Sequence, residues 1–144
     1  MPDRPPGRSS VGVLYFQTLS FYWRMAISET QFELSTEEHE RTLVISVAGR
    51  VDGMNTREFR GGLEQTAQEY GGSAIILDFE DLSYISSAGL RVVLLVAEAL
   101  SRRSKRFALC SLPSSILDII QATGFDNIID VYVSRSSAID AVAQ

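Results

Sequence analysis

Apolar and polar positions along the chain alternate between two kinds of run, short β-favouring segments and longer stretches with helical spacing. From Gln31 to Leu34 and again from Thr42 to Val47 lie two β-favouring segments. The polar STEEHE between them suits a hairpin turn. The second segment, TLVISVAGRVD, runs into Gly49 to Gly53, which is expected to break the strand. Residues 55 to 70 place Phe59, Leu63, Thr66, Ala67 and Tyr70 on one face with charges opposite, predicting an amphipathic helix. Gly61 and Gly62 weaken it by about 1 kcal/mol each. SAIILDF, residues 73 to 79, is a continuous apolar run and reads as a central strand covered on both faces.

After LSYISSAG, the residues Leu90, Val93, Leu94, Ala97 and Leu100 repeat at helical spacing. Val92, Leu95 and Val96 fill much of the other face, so this helix should be largely buried. It ends at SRRSKR, whose cations suit a helix C-terminus. RFALCSL predicts another strand. Pro113 and Ser114-Ser115 then open a helix that runs through ILDIIQAT to a C-cap at Gly124. IIDVYV reads as a short edge strand, and SRSSAIDAVA as a final short helix capped by Ser134. Strands alternating with helices over short connections imply a single α/β layer domain, with a small mixed sheet of about four to five strands packed with about four helices.

Composition supports one globular domain: 144 residues, 45% hydrophobic and 22% charged. The first 24 residues differ. MPDRPPGRSSVGVLYFQTLSFYWR opens with three prolines and two arginines, turns aromatic, and stops just before Met25. Gln17, Thr18 and Ser20 interrupt its apolar part, and no small-x-small cleavage site follows, so a start placed too far upstream is favoured over a signal peptide. We therefore divide the chain into a leader, 1–25, and a domain, 26–144. Taking Asp3, Arg4, Arg8 and Arg24 from the 13 basic and 18 acidic residues leaves 10 and 17, so the domain is more acidic than the net −5 of the whole chain. Such a surface argues against nonspecific nucleic-acid binding and suits a protein partner. No apolar run reaches the roughly 20 residues of a membrane-spanning helix. The single cysteine, Cys110, excludes an internal disulfide framework and fits a reducing compartment; it reads as a small buried hydrophobe.

Candidate chemistry centres on Ser86-Ser87-Ala88-Gly89. The stretch mimics the second half of a GxSxG nucleophile elbow, but Ile85 stands where the first glycine belongs. The only histidine, His39, lies in the acidic TEEHER with nothing to orient it toward Ser87, so a serine hydrolase is a remote alternative. No His, Cys or carboxylate cluster has metal-ligand spacing, and there is no GxxxxGK[ST] phosphate loop, so no cofactor is expected. One of the two serines can cap the following helix. The other, and Gly89, need a separate reason. Gly89 inside a first helical turn suggests that something approaches the backbone closely there, as at a kinase site on a folded surface. A phosphoserine at a helix N-terminus is well tolerated, so modification there should alter docking rather than folding. Asp52, at the end of the second strand, is expected along the same sheet edge.

VAGRVD, AIILDFEDLSYISSAGLRVVL, RFALC and IIQATGFDNIIDVYVSRSSAIDAV, in that order, resemble the STAS domain family, specifically its bacterial anti-sigma factor antagonists. The similarity runs from about residue 31 to 142. The resemblance implies a cytoplasmic, non-enzymatic partner-switching protein that regulates transcription, a monomer or weak dimer. It implies binding to an anti-sigma factor, often a serine kinase, which frees a sigma factor. The kinase phosphorylates a serine at the start of the second main helix and abolishes binding, and a PP2C-type phosphatase restores it. Matched without gaps, the phosphoacceptor falls on Ser87, with Ser86 the second choice; Asp52, Ser86, Ala88, Gly89 and Arg91 fall on the partner-binding surface. Many relatives carry Asp-Ser-Ser-Gly here, so Ser86 replaces an acid. Within the family, a stress-signalling scaffold or the cytoplasmic part of a lipid transporter is the alternative role.

Overall fold

A computed structural model describes residues 31–143. The leader and the choice of Met25 as first residue lie outside the described residues. The chain folds as β1 (Phe32–His39), β2 (Thr42–Val51), α1 (Thr56–Glu69), β3 (Ala74–Asp78), β4 (Leu82–Ile85), α2 (Ser87–Arg102), β5 (Arg106–Cys110), α3 (Ser114–Thr123), a 3-10 turn (Phe125–Asn127), β6 (Asp130–Tyr132) and α4 (Arg135–Val142). The sheet order is β1-β2-β3-β5-β6, with β4 also paired to β2. Only β1 is antiparallel to its neighbour; the other pairings are parallel. The α/β class, the four helices and the mixed sheet agree with the expectation from sequence, and the sheet has one more strand than expected.

Two differences have local causes. The first strand continues through STEEH to His39, and the turn is only Glu40 and Arg41, with Glu40 at φ 57°. Phe32, Leu34 and Thr36 alternate inward along it. Its outward residues are polar because that face of an edge strand meets solvent. The extra strand, β4, has only four residues, LSYI, without clean alternation. It exists because β2 outruns β3: Thr42 to Ser46 pair with β3, whereas Gly49 to Val51 pair with β4.

The partner change falls on Gly49, which does not end the strand as its sequence context suggested. A bulge lies between Gly49 and Arg50. Gly49 has φ 91°, and a Cβ there would lie 2.3 Å from the Gln31 carbonyl oxygen, so only glycine fits. Its N–H donates to the Asp81 carbonyl at 3.0 Å, which starts the run into β4.

Side chains leave the two faces of the sheet alternately. Leu43, Ile45, Val47, Ile75, Leu77 and Leu109 join Phe59 and Leu63 of α1, Val93 and Val96 of α2, and Ile116 and Ile120 of α3 in the main core. Val44, Ala74, Ile76, Ala108 and Cys110 face Ala138 and Val142 of α4 on the other side. All five residues of β3 are buried, as a strand covered on both faces requires. Cys110 is a buried free thiol, and burial pushes it up to about 11, so it is a packing residue. Arg135, the first residue of α4, fastens that helix to the sheet. Its Nε donates to Asp78 Oδ2, its Nη1 to Glu37 Oε1 and its Nη2 to Ser46 Oγ, each at 2.8 Å. One guanidinium thereby joins β1, β2 and β3.

Candidate functional site

The site forms where β2 and β4 end side by side, Arg50 opposite Tyr84 and Val51 opposite Ile85. Ser86 is extended, at φ −79° and ψ 168°, and its N–H donates to the Val51 carbonyl at 2.9 Å. Its hydroxyl accepts the Gly89 N–H at 3.1 Å, so Ser86 is the N-cap of α2. One serine is therefore spent on the fold. Ser87, the first residue of α2, is exposed, and its hydroxyl has no partner among the described residues. Ala88 beside it is also exposed.

Gly89 has an internal explanation, which corrects the idea that its missing side chain clears a path for an external enzyme. It is buried, and a Cβ there would lie 2.7 Å from Ile85 Cγ1 and 2.9 Å from Val51 Cγ1. What approaches the backbone closely is the end of this sheet. The glycine lets α2 start directly against β2 and β4, and so holds Ser87 at the strand ends.

Asp52 follows Val51 and organises the turn into α1. Its Oδ1 accepts the Met54 N–H at 2.9 Å and its Oδ2 accepts Arg50 Nε at 3.2 Å. The Met54 amide and, more weakly, Arg50 hold its carboxyl below the ordinary range, against the opposing effect of partial burial. Asn55, unremarked in the sequence, is buried and bonds back to the strand end. Its Oδ1 accepts the Asp52 N–H at 2.9 Å and its Nδ2 donates to the Arg50 carbonyl at 2.9 Å. The signal for it was an asparagine just ahead of a helix, which ordinarily reads as a cap; here it makes no capping bond. Arg50 also lies over the ring of Tyr84, 4.2 Å from its centroid. Met54 is 92% exposed on this turn.

From Ser87 a groove of about 580 Å³ runs between α2 and α3. Ser87, Ala88 and Arg91 line one end and Glu98 lies further along, over an apolar floor that includes Leu94, Ile119 and Phe125. The structure thus gathers Ser86, Ser87, Ala88, Gly89 and Arg91 at the start of α2, with Asp52 joined to them through the Val51–Ser86 hydrogen bond. His39 is at the opposite end of β2, facing Thr42 and 3.5 Å from Glu37. Ten residues of strand at about 3.3 Å each put it roughly 30 Å from the Ser87 end. The only histidine in the chain cannot serve Ser87 as a base, and the nucleophile-elbow likeness ends there. Among the described residues no group of three or more His, Cys, Asp or Glu side chains is gathered to hold a metal ion. Among them, too, no helix is long and apolar enough to cross a membrane.

A six-stranded mixed sheet packed with four helices among the described residues, with an exposed serine opening the helix that follows β4, defines a small α/β domain. The pattern of the STAS domain matches residues 33–138, and the chain belongs to the STAS domain family. BtrV of Bordetella bronchiseptica, provisionally named an anti-sigma factor antagonist, is 33% identical over 106 residues, covering 74% of this chain and 90% of that protein. Among solved structures, an anti-sigma factor antagonist from Mycobacterium paratuberculosis superposes with a TM-score of 0.72 at 20% identity, covering 79% of this chain and 96% of that one. The anti-sigma factor antagonist SpoIIAA in its unphosphorylated form gives 0.64 at 24% identity, covering 76% and 96%; the Bacillus protein in its phosphorylated form gives 0.60 at 24%, covering 78% and 99%. At these identities the structural likenesses show the shared fold.

Proposed function

We propose that this domain is a cytoplasmic, non-enzymatic anti-sigma factor antagonist: it binds an anti-sigma factor through the start of α2 and the adjoining groove, and phosphorylation of Ser87 switches the binding off. The observation that carries this reading is the division of labour between the two serines. Ser86 is committed to capping α2, whereas Ser87 presents, at the helix's first position, a hydroxyl with no partner among the described residues. The relative BtrV is named for this activity, and SpoIIAA is a phosphorylated protein of the same fold. The helix N-terminus accommodates the phosphate through its free amides and macrodipole. The modification therefore acts outward, placing about two negative charges where the partner docks. A PP2C-type phosphatase would reset the switch.

The test is incubation with ATP and a serine-kinase anti-sigma factor from the same genome, followed by peptide mass spectrometry. One phosphate on Ser87 is the expected result. Modification confined to other residues, or none with any such kinase, would overturn the assignment.

A further inference from the structure

We propose that Arg91 is the residue through which modification of Ser87 is read: a phosphate on Ser87 is captured by the Arg91 guanidinium, one helical turn on, and the cation is thereby withdrawn from the α2–α3 groove. This role presupposes the Ser87 switch proposed above and names its mechanism. Ser87 and Arg91 are four residues apart within α2, a spacing that puts their Cβ atoms about 6 Å apart on one face. Both are exposed and both line the same end of the groove.

Arg91 has no hydrogen bond or ion pair among the described residues, whereas Arg50 and Arg60 are both paired. Arg50 is held by Asp52 at 3.2 Å and stacked over Tyr84. Arg60 pairs with Glu64 at 2.9 Å across one turn of α1, the same spacing that separates Ser87 from Arg91. Glu98 lies two turns beyond Arg91, about 10 Å along the helix axis, too far to neutralise it. Among the described residues, the unmodified groove therefore offers an unpaired guanidinium at the rim of an apolar floor. Such a rim fits a partner surface with a carboxylate next to apolar side chains.

Phosphorylation inverts that end of the groove. A phosphoserine brings nearly two charges and three acceptor oxygens, and a planar guanidinium binds such a group in a bidentate manner. An anion four residues before a cation is also the favourable order along a helix. Once captured, Arg91 no longer meets the partner's carboxylate, and the local charge has turned from positive to negative. The partner loses an attraction and meets a repulsion at one point.

The direct test uses protein with phosphoserine installed at position 87 during synthesis, so no kinase is needed. Phosphorus NMR follows the second phosphate ionisation, ordinarily near pH 6, in the wild-type sequence and in Arg91→Gln. The helix amides act equally on both, so any difference belongs to the guanidinium. We expect the wild-type phosphate to ionise about half a pH unit lower than in Arg91→Gln, with Arg91→Lys between them. Superimposable titrations would overturn the capture. In a second arm, unmodified Arg91→Gln should bind an anti-sigma factor recognised by the wild type about tenfold more weakly; undiminished binding would overturn Arg91 as a partner contact. A shifted titration combined with failure of every kinase to use Ser87 would support the ion pair and defeat the switch reading instead.

Discussion

Replacing Gly89 by alanine separates an internal from an external reason for the glycine. The added methyl would lie 2.7 Å from Ile85 Cγ1 and 2.9 Å from Val51 Cγ1. Neither neighbour can retreat, since Val51 is fully buried and Ile85 nearly so. Overpacking at such a site costs about 2–3 kcal/mol, and the better helix propensity of alanine returns at most about 1. The net is a destabilisation of about 1–2 kcal/mol, which for a domain of this size lowers Tm by about 4–8 °C. Gly61, in the middle of α1, is the built-in control. It is exposed, with nothing within 4 Å of the place an alanine methyl would take. Gly61→Ala should therefore raise stability by up to about 1 kcal/mol. Urea denaturation followed by circular dichroism reads both. If Gly89→Ala is as stable as the parent, the close packing of α2 on the strand ends is not what requires glycine. If it is also no longer phosphorylated while folded, the glycine serves the kinase.

Four further substitutions probe the frame around the site. Ser86→Ala should cost about 1 kcal/mol by removing the α2 cap, whereas Ser87→Ala should change stability by less than about 0.5 kcal/mol; comparable losses in urea melts would contradict the assignment of cap and acceptor. Arg135→Met leaves the buried Asp78 carboxylate without its guanidinium and should cost about 3 kcal/mol, while an unchanged denaturation midpoint would show that α4 is held by its apolar contacts alone. Asp52 has its carboxyl held below the ordinary value of 3.8 in the folded state, so its contribution is present above that pH and is lost as pH falls through the folded value. The stability difference between wild type and Asp52→Asn should therefore shrink on acidification, and a difference that grows toward low pH would refute the Met54 and Arg50 contacts as its source.

The sequence was most readable where one physical signal dominated. The face of Phe59, Leu63, Thr66 and Ala67 is the buried face of α1, Gly124 ends α3 in the left-handed conformation, and Ser134 opens α4 with a capping box. It was least readable where pairing decides. β4 has no periodicity of its own and is a strand only because β2 extends past β3, and the outer half of β1 is polar because only one of its faces is covered. At the site, the small residues of SSAGL announced a tight strand-to-helix junction, and capping predicted that one serine would be used locally. Gly89 is crowded by Ile85, four positions before it, and by Val51, 38 positions away in the chain, and spacing within the motif carries no trace of the second. Asn55 and the Arg50–Tyr84 stack were missed for the same reason, since both are defined by contacts across the end of the sheet.

The central claim is that Ser87 carries the switch, and the most direct measurement compares two forms of one protein. Unmodified protein and protein with phosphoserine installed at position 87 are titrated, by calorimetry at fixed salt, into an anti-sigma factor from the same genome that the unmodified form binds. Like charge brought into a docked surface costs several kcal/mol, so affinity should fall at least about a hundredfold on phosphorylation while Tm stays nearly constant. Equal affinity of the two forms would contradict the account.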